Sequence, residues 1–292
     1  MGDNAIINLG DLSKPATVLI EKISDAIGGI FKPYQIKRIA KAEAEAEKIR
    51  ALADIEIKEL QQRALVRFVA EETKKQANIE SITAKAINGL KADAKPEDIE
   101  DDWIANFFDK CRLISDNEMQ ELWARILSGE ANSPGTYSKR TVNFLHSLDK
   151  ADAQLFTVLC SYGWLIGDIV PLIYDVQAEI YKRNGINFNS LKHLDEIGLV
   201  SFNNLTGYRR IGLPERITVF YYGTPINIQF KNKENNDLNV GKVLLSKVGQ
   251  ELAPIVGSKP LPEFLEYTLK KWSDMGLITY SDWPNKSFQR TA

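Results

Sequence analysis

The chain runs from Tyr34 to Asn88 without a proline or a glycine, and no other feature limits its fold as much. The stretch is rich in Ala, Glu, Lys, Gln, Arg and Ile, side chains that keep the α conformation at little cost. Continued to Leu90, it would reach roughly 80 Å at the helical rise per residue. Ile36, Ile39, Ile49, Leu52, Ile57, Leu60, Ala64 and Phe68 keep helical spacing, and Ile79, Ile82, Ala86 and Leu90 resume it. The stripe is thin, the heptads are irregular, and Ala42 to Glu47 simply alternates Ala and Glu. A helix this long and polar does not bury itself. Residues 35–93 are therefore read as a coiled-coil-like helix lying along a partner, a second copy of the chain.

Ahead of it, residues 1–34 form an amphipathic N-terminal helix. Ser13 caps it and Pro15 stands near its start. Val18, Leu19, Ile23, Ile27 and Ile30 share its apolar face with Ala26, and Glu21, Lys22 and Asp25 lie elsewhere. That face has three uses: packing on the protein itself, an oligomer seam, or a membrane interface. Glu21, Lys22 and Asp25 interrupt the longest apolar run, so it does not read as a bilayer span.

The length of 292 residues suits about two domains. Hydrophobic content of 44% and charged content of 26% are ordinary for a soluble globular chain, and a net charge of −2 gives no global argument for nucleic acid or an anionic membrane. Cys111 and Cys160 both sit in apolar helical patterns and are read as buried free thiols. With no basic region leading into an unbroken apolar run, the expected location is cytoplasmic, peripheral at the membrane only if the N-terminal helix lies on one.

Residues 96–168 read as a helical core. Pro96 opens it, followed by an acidic run where the helix dipole welcomes negative charge. Trp103, Phe107, Phe108 and Cys111 form one stripe, and Met119, Leu122, Trp123, Ile126 and Leu127 a second. Ser115 and Glu118 have capping-box spacing, with Ile114 and Met119 placed as a staple. Gly129 reads as a left-handed helix stop, Pro134-Gly135 as a turn, and Ser138 as the next cap. Asp149 then caps a helix expected to run through Ile166.

Residues 171–283 change character and read as a smaller α+β module, with residues 284–292 a tail. A helix ends at Gly198 and a strand follows it. Arg216 to Phe230 alternates β-branched and aromatic residues around Gly223-Thr224-Pro225, a hairpin signature. Val243 to Leu245 is a short strand, and Ser246 caps a helix through Leu252. LKHLDEIGLVSF (Leu191 to Phe202) and LKKWSDMGLITY (Leu269 to Tyr280) repeat one helix–Gly–strand unit, which suggests winged-helix-like parts. The fold class is thus mainly α with a smaller α+β C-terminal module.

Little in the chain points to catalysis. His146 and His193 have no Cys or His at ligand spacing, and no nucleophile elbow, phosphate loop or metalloprotease motif occurs. No cofactor, metal or catalytic residue is assigned. The one chemical hint is basic. Lys192 on the helix before the hairpin, Arg209 and Arg210 after it, and Lys231 and Lys233 beyond the hairpin are candidate nucleic-acid contacts. Asp195 and Glu196 dilute them, and they form a scatter without a stripe.

The run DDWIANFFDKCRLISDNEMQELWARILSGEANSPGTYSKRTVNFLHSL, followed by GKVLLSKVGQELAPI, resembles the bacterial family catalogued as domain of unknown function 2806, over most of residues 75–280. The Asp102-Trp103 pair, the QELWARILSGE helix and the Pro134-Gly135-Thr136-Tyr137-Ser138 turn come in order. IFKPYQIKRIAKAEAEAE, together with QELWARILSGE, is similar to the abortive-infection alpha family of phage-resistance proteins; beyond about Leu165 the chain does not follow that family. The first resemblance implies a fold and no catalytic residues, the second a role in stopping phage. The expectation is a non-enzymatic, self-associating effector or adaptor that assembles through residues 16–92. A DNA-binding regulator and a peripheral membrane protein are the alternatives.

Overall fold

The structure, a computed structural model, describes residues 12–27 and 59–280. Among these are ten α-helices and nine strands, with every strand pair antiparallel, so the chain is mixed α/β. Residues 28–58, Ile30 among them, and the tail 284–292 lie outside the described residues. The chain divides between Ser147 and Leu148 into two compact units, which places residues 148–168 with the second unit and not with the helical core.

In the first unit, α1 (Lys14–Ala26) starts where expected, with the Ser13 hydroxyl accepting the Ala16 N–H. α2 (Glu59–Ile87) is followed by a 3-10 turn (Pro96–Asp98), then α3 (Asp101–Cys111), α4 (Asn117–Asn132) and α5 (Lys139–His146). The acidic run is therefore split, half in the turn and half at the start of α3. Both expected stripes are buried. Trp103 stacks on Phe107 at 5.2 Å, and Phe107 meets the Trp123 edge at 5.1 Å.

Two local expectations for α4 fail. Its cap is Asp116, whose carboxylate accepts the N–H groups of both Glu118 and Met119. An ionised acceptor at a helix start outcompetes the hydroxyl of Ser115 one residue earlier. Gly129 does not stop the helix, which continues to Asn132. A Cβ at Gly129 would stand 2.6 Å from the Tyr137 ring, so glycine is there for close packing.

The second unit opens with α6 (Lys150–Cys160). Where the helix was expected to continue, β1 (Gly163–Ile166) and β2 (Asp168–Pro171) form a tight hairpin, turned at Gly167 with φ +79°. α7 (Glu179–Lys182), α8 (Phe188–Glu196), β3 (Val200–Phe202), β4 (Tyr208–Leu213), β5 (Arg216–Tyr221), β6 (Thr224–Gln229), β7 (Asn236–Gly241), β8 (Val243–Leu245), α9 (Lys247–Leu252), α10 (Pro262–Asp274) and β9 (Ile278–Tyr280) follow. The main sheet has the order β2-β1-β5-β6-β9, and β3–β8 and β4–β7 are separate ribbons.

The internal repeat has a structural basis. After α8, Gly198 and Leu199 donate to the carbonyls of Asp195 and Leu194; after α10, Gly276 and Leu277 donate to those of Ser273 and Trp272. Both are Schellman endings with a left-handed glycine, and both lead straight into a strand. The sheet's inner face carries the core: Trp164 stacks on Tyr221 at 5.0 Å and meets Trp272 at 4.8 Å.

Candidate functional site

The five basic residues singled out in the sequence lie in the second unit, on α8, β4 and the β6–β7 loop. Three are paired with carboxylates. Lys192 sits 3.5 Å from Glu196 one turn on, Arg209 pairs with Asp237 across the β4–β7 ribbon, and Arg210 reaches Asp168 at 2.8 Å. Lys231 and Lys233 are exposed in their loop. Asp168 and Asp237 carry no local sequence signal, because Asp168 is 42 positions from its arginine and Asp237 is 28.

Arg209 and Arg210 also border an open cleft of about 470 Å³, with Val170, Tyr208, Ile211 and Leu244 among its lining. Arg210 lies over Gly167, where a Cβ would come 3.2 Å from the guanidinium. Gln250, also in the lining, bonds both the N–H and the C=O of Ile169 through its side-chain amide, as a neighbouring strand's peptide group would. These polar groups tie the β4–β7 ribbon and α9 to the β1–β2 hairpin.

On the first unit, the apolar face of α1 turns inward. Leu19 and Ile23 are 0% exposed, Val18 and Ile27 are half-buried, and Lys22 fastens the helix to the Glu97 carbonyl at 3.1 Å and to Asp101 at 3.0 Å. α2 behaves differently along its length. Asn78, Ile79, Ile82, Thr83 and Ala86 are buried, held to α4 by Ser81 and Lys85, which both donate to the Gln120 side chain. From Glu59 to Lys74 the helix is open: Leu60 is 70% and Phe68 60% exposed, with Leu65 and Val66 beside them. These residues have helical spacing in the sequence, and nothing there separates the covered half from the open half.

The segments that carry the family resemblance meet in one knot. The buried Glu130 carboxylate accepts the N–H of Gly135 at 2.6 Å and of Tyr137 at 2.8 Å. The Trp103 indole donates to the Tyr137 carbonyl at 2.7 Å, Gly129 makes room for the Tyr137 ring, and Ser138 caps α5. The Glu130 carboxylate, the Trp103 indole and the Ser138 hydroxyl of this knot all bond backbone.

Among the described residues no group of three or more His, Cys, Asp or Glu is placed to hold a metal ion, and no helix is long and apolar enough to cross a membrane. His193 bonds Asp152 at 2.7 Å on an exposed face, and His146 lies 3.2 Å from the Lys110 carbonyl. Burial pushes the thiols of Cys111 and Cys160 up, which leaves both protonated and unreactive as nucleophiles. The tyrosines of the second unit's core, Tyr162, Tyr174, Tyr181 and Tyr221, are also raised by burial, and their hydroxyls are bound within the core.

The described residues form a mixed α/β protein in two compact units. It belongs to the family described as protein of unknown function DUF2806, which matches residues 62–269, more than two thirds of the chain. No curated protein and no solved structure matches it.

Proposed function

We propose that the protein is a non-enzymatic, self-associating effector or adaptor that assembles through residues 16–92. The single observation that carries this reading is the open half of α2, where Leu60, Leu65, Val66 and Phe68 stand in solvent on a helix whose other half is buried. Large apolar side chains grouped along a helix favour a partner helix over water, as in a coiled-coil-like seam. The buried face of α1 supports a role inside the unit for that helix, so the assembly face falls on α2. The second unit then meets other partners, and Leu165 and Phe220, paired across β1 and β5 and part exposed on the outer face of the sheet, suit that use.

The biological role we propose is phage defence of the abortive-infection type, in a bacterial cytoplasm. Its support is the partial sequence resemblance of IFKPYQIKRIAKAEAEAE and QELWARILSGE to the abortive-infection alpha family, which no match to a curated protein accompanies. A DNA-binding regulator built on winged-helix-like parts has less support, since Lys192, Arg209 and Arg210 already face carboxylates. Sedimentation velocity of the full chain tests assembly: a dimer or larger species is expected, shifted to monomer by Phe68→Glu. A wild-type monomer at tens of micromolar would remove the proposal. A plaque assay at low and high phage dose tests the role. Protection at low dose with culture collapse at high dose is expected, and unchanged plaque counts at both doses would refute it.

A further inference from the structure

We infer that the ion pair between Arg210 and Asp168 is a strap across the cleft beside the β4–β7 ribbon, and that ionic strength sets how often the strap is open. Both residues belong to the second unit, so the strap does not depend on self-association through α2.

The two partners lie in different sheets. Asp168 opens β2, the edge strand of the main sheet, and Arg210 is on β4, 42 positions further along the chain, in the separate β4–β7 ribbon. Both line the cleft, and Arg210 Nη2 donates to the Asp168 carboxylate at 2.8 Å, so the pair runs from one wall to the other. Gly167 leaves room for it: a Cβ there would stand 3.2 Å from Arg210 Nη1. Asp168 and Val170, two positions apart on β2, project to the same face of the strand. Val170 is 1% exposed and the Asp168 side chain 67%, which puts the pair on the solvent side of the buried lining that Val170 shares with Val240 and Leu245.

The chemistry of the ties decides which of them opens. Next to the strap, Ile169 bonds the Gln250 amide through both its N–H and its C=O, and the Ile173 carbonyl accepts the Lys242 N–H at 2.8 Å. Those bonds join neutral groups, and salt leaves them in place. The Arg210–Asp168 pair is ionic and open to solvent on both sides, with side chains 32% and 67% exposed. An exposed ion pair favours its closed form by a factor of about five at most. Salt weakens it further, since the screening length falls from about 30 Å at 0.01 M to about 3 Å at 1 M. Arg209 supplies the contrast. It also lines the cleft, but its partner Asp237 is on β7 of the same ribbon, so that pair spans nothing.

Thiol labelling in the full chain tests the strap. Val170→Cys puts a thiol on the buried lining with little change of volume, and alkylation by iodoacetamide, a neutral reagent, reads how often the cleft is open. The native Cys111 and Cys160 are buried, with their thiols pushed up, and leave a slow background. Labelling of the introduced thiol is expected to quicken about two- to fivefold between about 0.01 M and about 1 M salt. Adding Arg210→Gln should give the fast rate at low salt and abolish the response to salt, whereas adding Arg209→Gln should change neither. Equal rates at the two salt levels, a salt response that persists with Arg210→Gln, or equal effects of Arg209→Gln and Arg210→Gln would each overturn the strap. Leu244→Cys, at a half-buried lining position on β8, is the second probe, read by the same outcomes where Val170→Cys does not fold.

Discussion

Gly129→Ala sets two effects of known size against each other. Gly129 lies within α4, where alanine is favoured over glycine by about 1 kcal/mol because it restricts the unfolded chain. Propensity alone therefore predicts a more stable protein. The new Cβ, however, would come 2.6 Å from Tyr137 Cε2 and 3.0 Å from its hydroxyl oxygen. Tyr137 has little freedom to retreat, being 5% exposed, with its N–H on the Glu130 carboxylate and its carbonyl on the Trp103 indole. Overpacking of a core costs about 1–3 kcal/mol, and a ring anchored on both sides belongs in the upper half of that range. The net expectation is a loss of about 1–2 kcal/mol. Amide exchange across Asn117–Asn132 reads the first unit alone, and protection there should fall by a factor of about 5–30. Gly129→Ala in a Tyr137→Leu background should then recover part of the loss, because the obstacle is gone. Greater protection in the single variant, or strict additivity in the double, would refute packing against Tyr137 as the reason for glycine at this position.

Gly249→Ala in α9 should cost more, about 2–4 kcal/mol by thermal denaturation, because its Cβ would lie 2.2 Å from the backbone carbonyl of Leu199, which cannot rotate away. Glu130→Gln should destabilise the first unit by about 1–3 kcal/mol in urea titration, since an amide offers one acceptor oxygen where the N–H groups of both Gly135 and Tyr137 now bond the carboxylate. Burial raises the phenols of Tyr162, Tyr181 and Tyr221 above their ordinary value. The unfolded chain thus releases those protons near pH 10 while the folded one holds them, and stability falls as pH climbs from there, by about 1.4 kcal/mol per pH unit for each phenol; absorbance at 295 nm should show them ionising only with unfolding, and ionisation in the folded state would contradict the burial. Arg209→Glu should leave any duplex-DNA affinity within about threefold across a salt series followed by anisotropy, because Arg209 is already paired with Asp237, whereas a tenfold loss would restore the nucleic-acid reading.

How much of this was legible follows from the range of each interaction. Caps and stops are decided within about four residues, and there the sequence reads in part: Ser13, Ser138 and Ser246 accept the amides expected of them and both copies of the helix–Gly–strand repeat end in the same hydrogen bonds, while Asp149 stands at the cap position without a side-chain bond to the helix. Where two local signals compete, the stronger acceptor decides, as when Asp116 displaces Ser115. Gly163-Trp164-Leu165-Ile166 is apolar enough for helix or strand, and only its pairing with β2 and β5 settles the choice. Long-range partners left no trace: the carboxylates that neutralise Arg209 and Arg210 lie 28 and 42 positions away, and the meaning of Gly129 depends on a ring that comes back over it from the next turn. The same limit governs α2. Its apolar positions repeat in one direction from Leu60 to Ala86, and periodicity assigns them one common face. Coverage of that face is a tertiary fact, fixed by where α4 begins to lie on it, at the level of Asn78 and Gln120. Within the described part of that seam, Glu59 to Ile87, there are therefore two surfaces in series, one covered by the chain itself and one exposed.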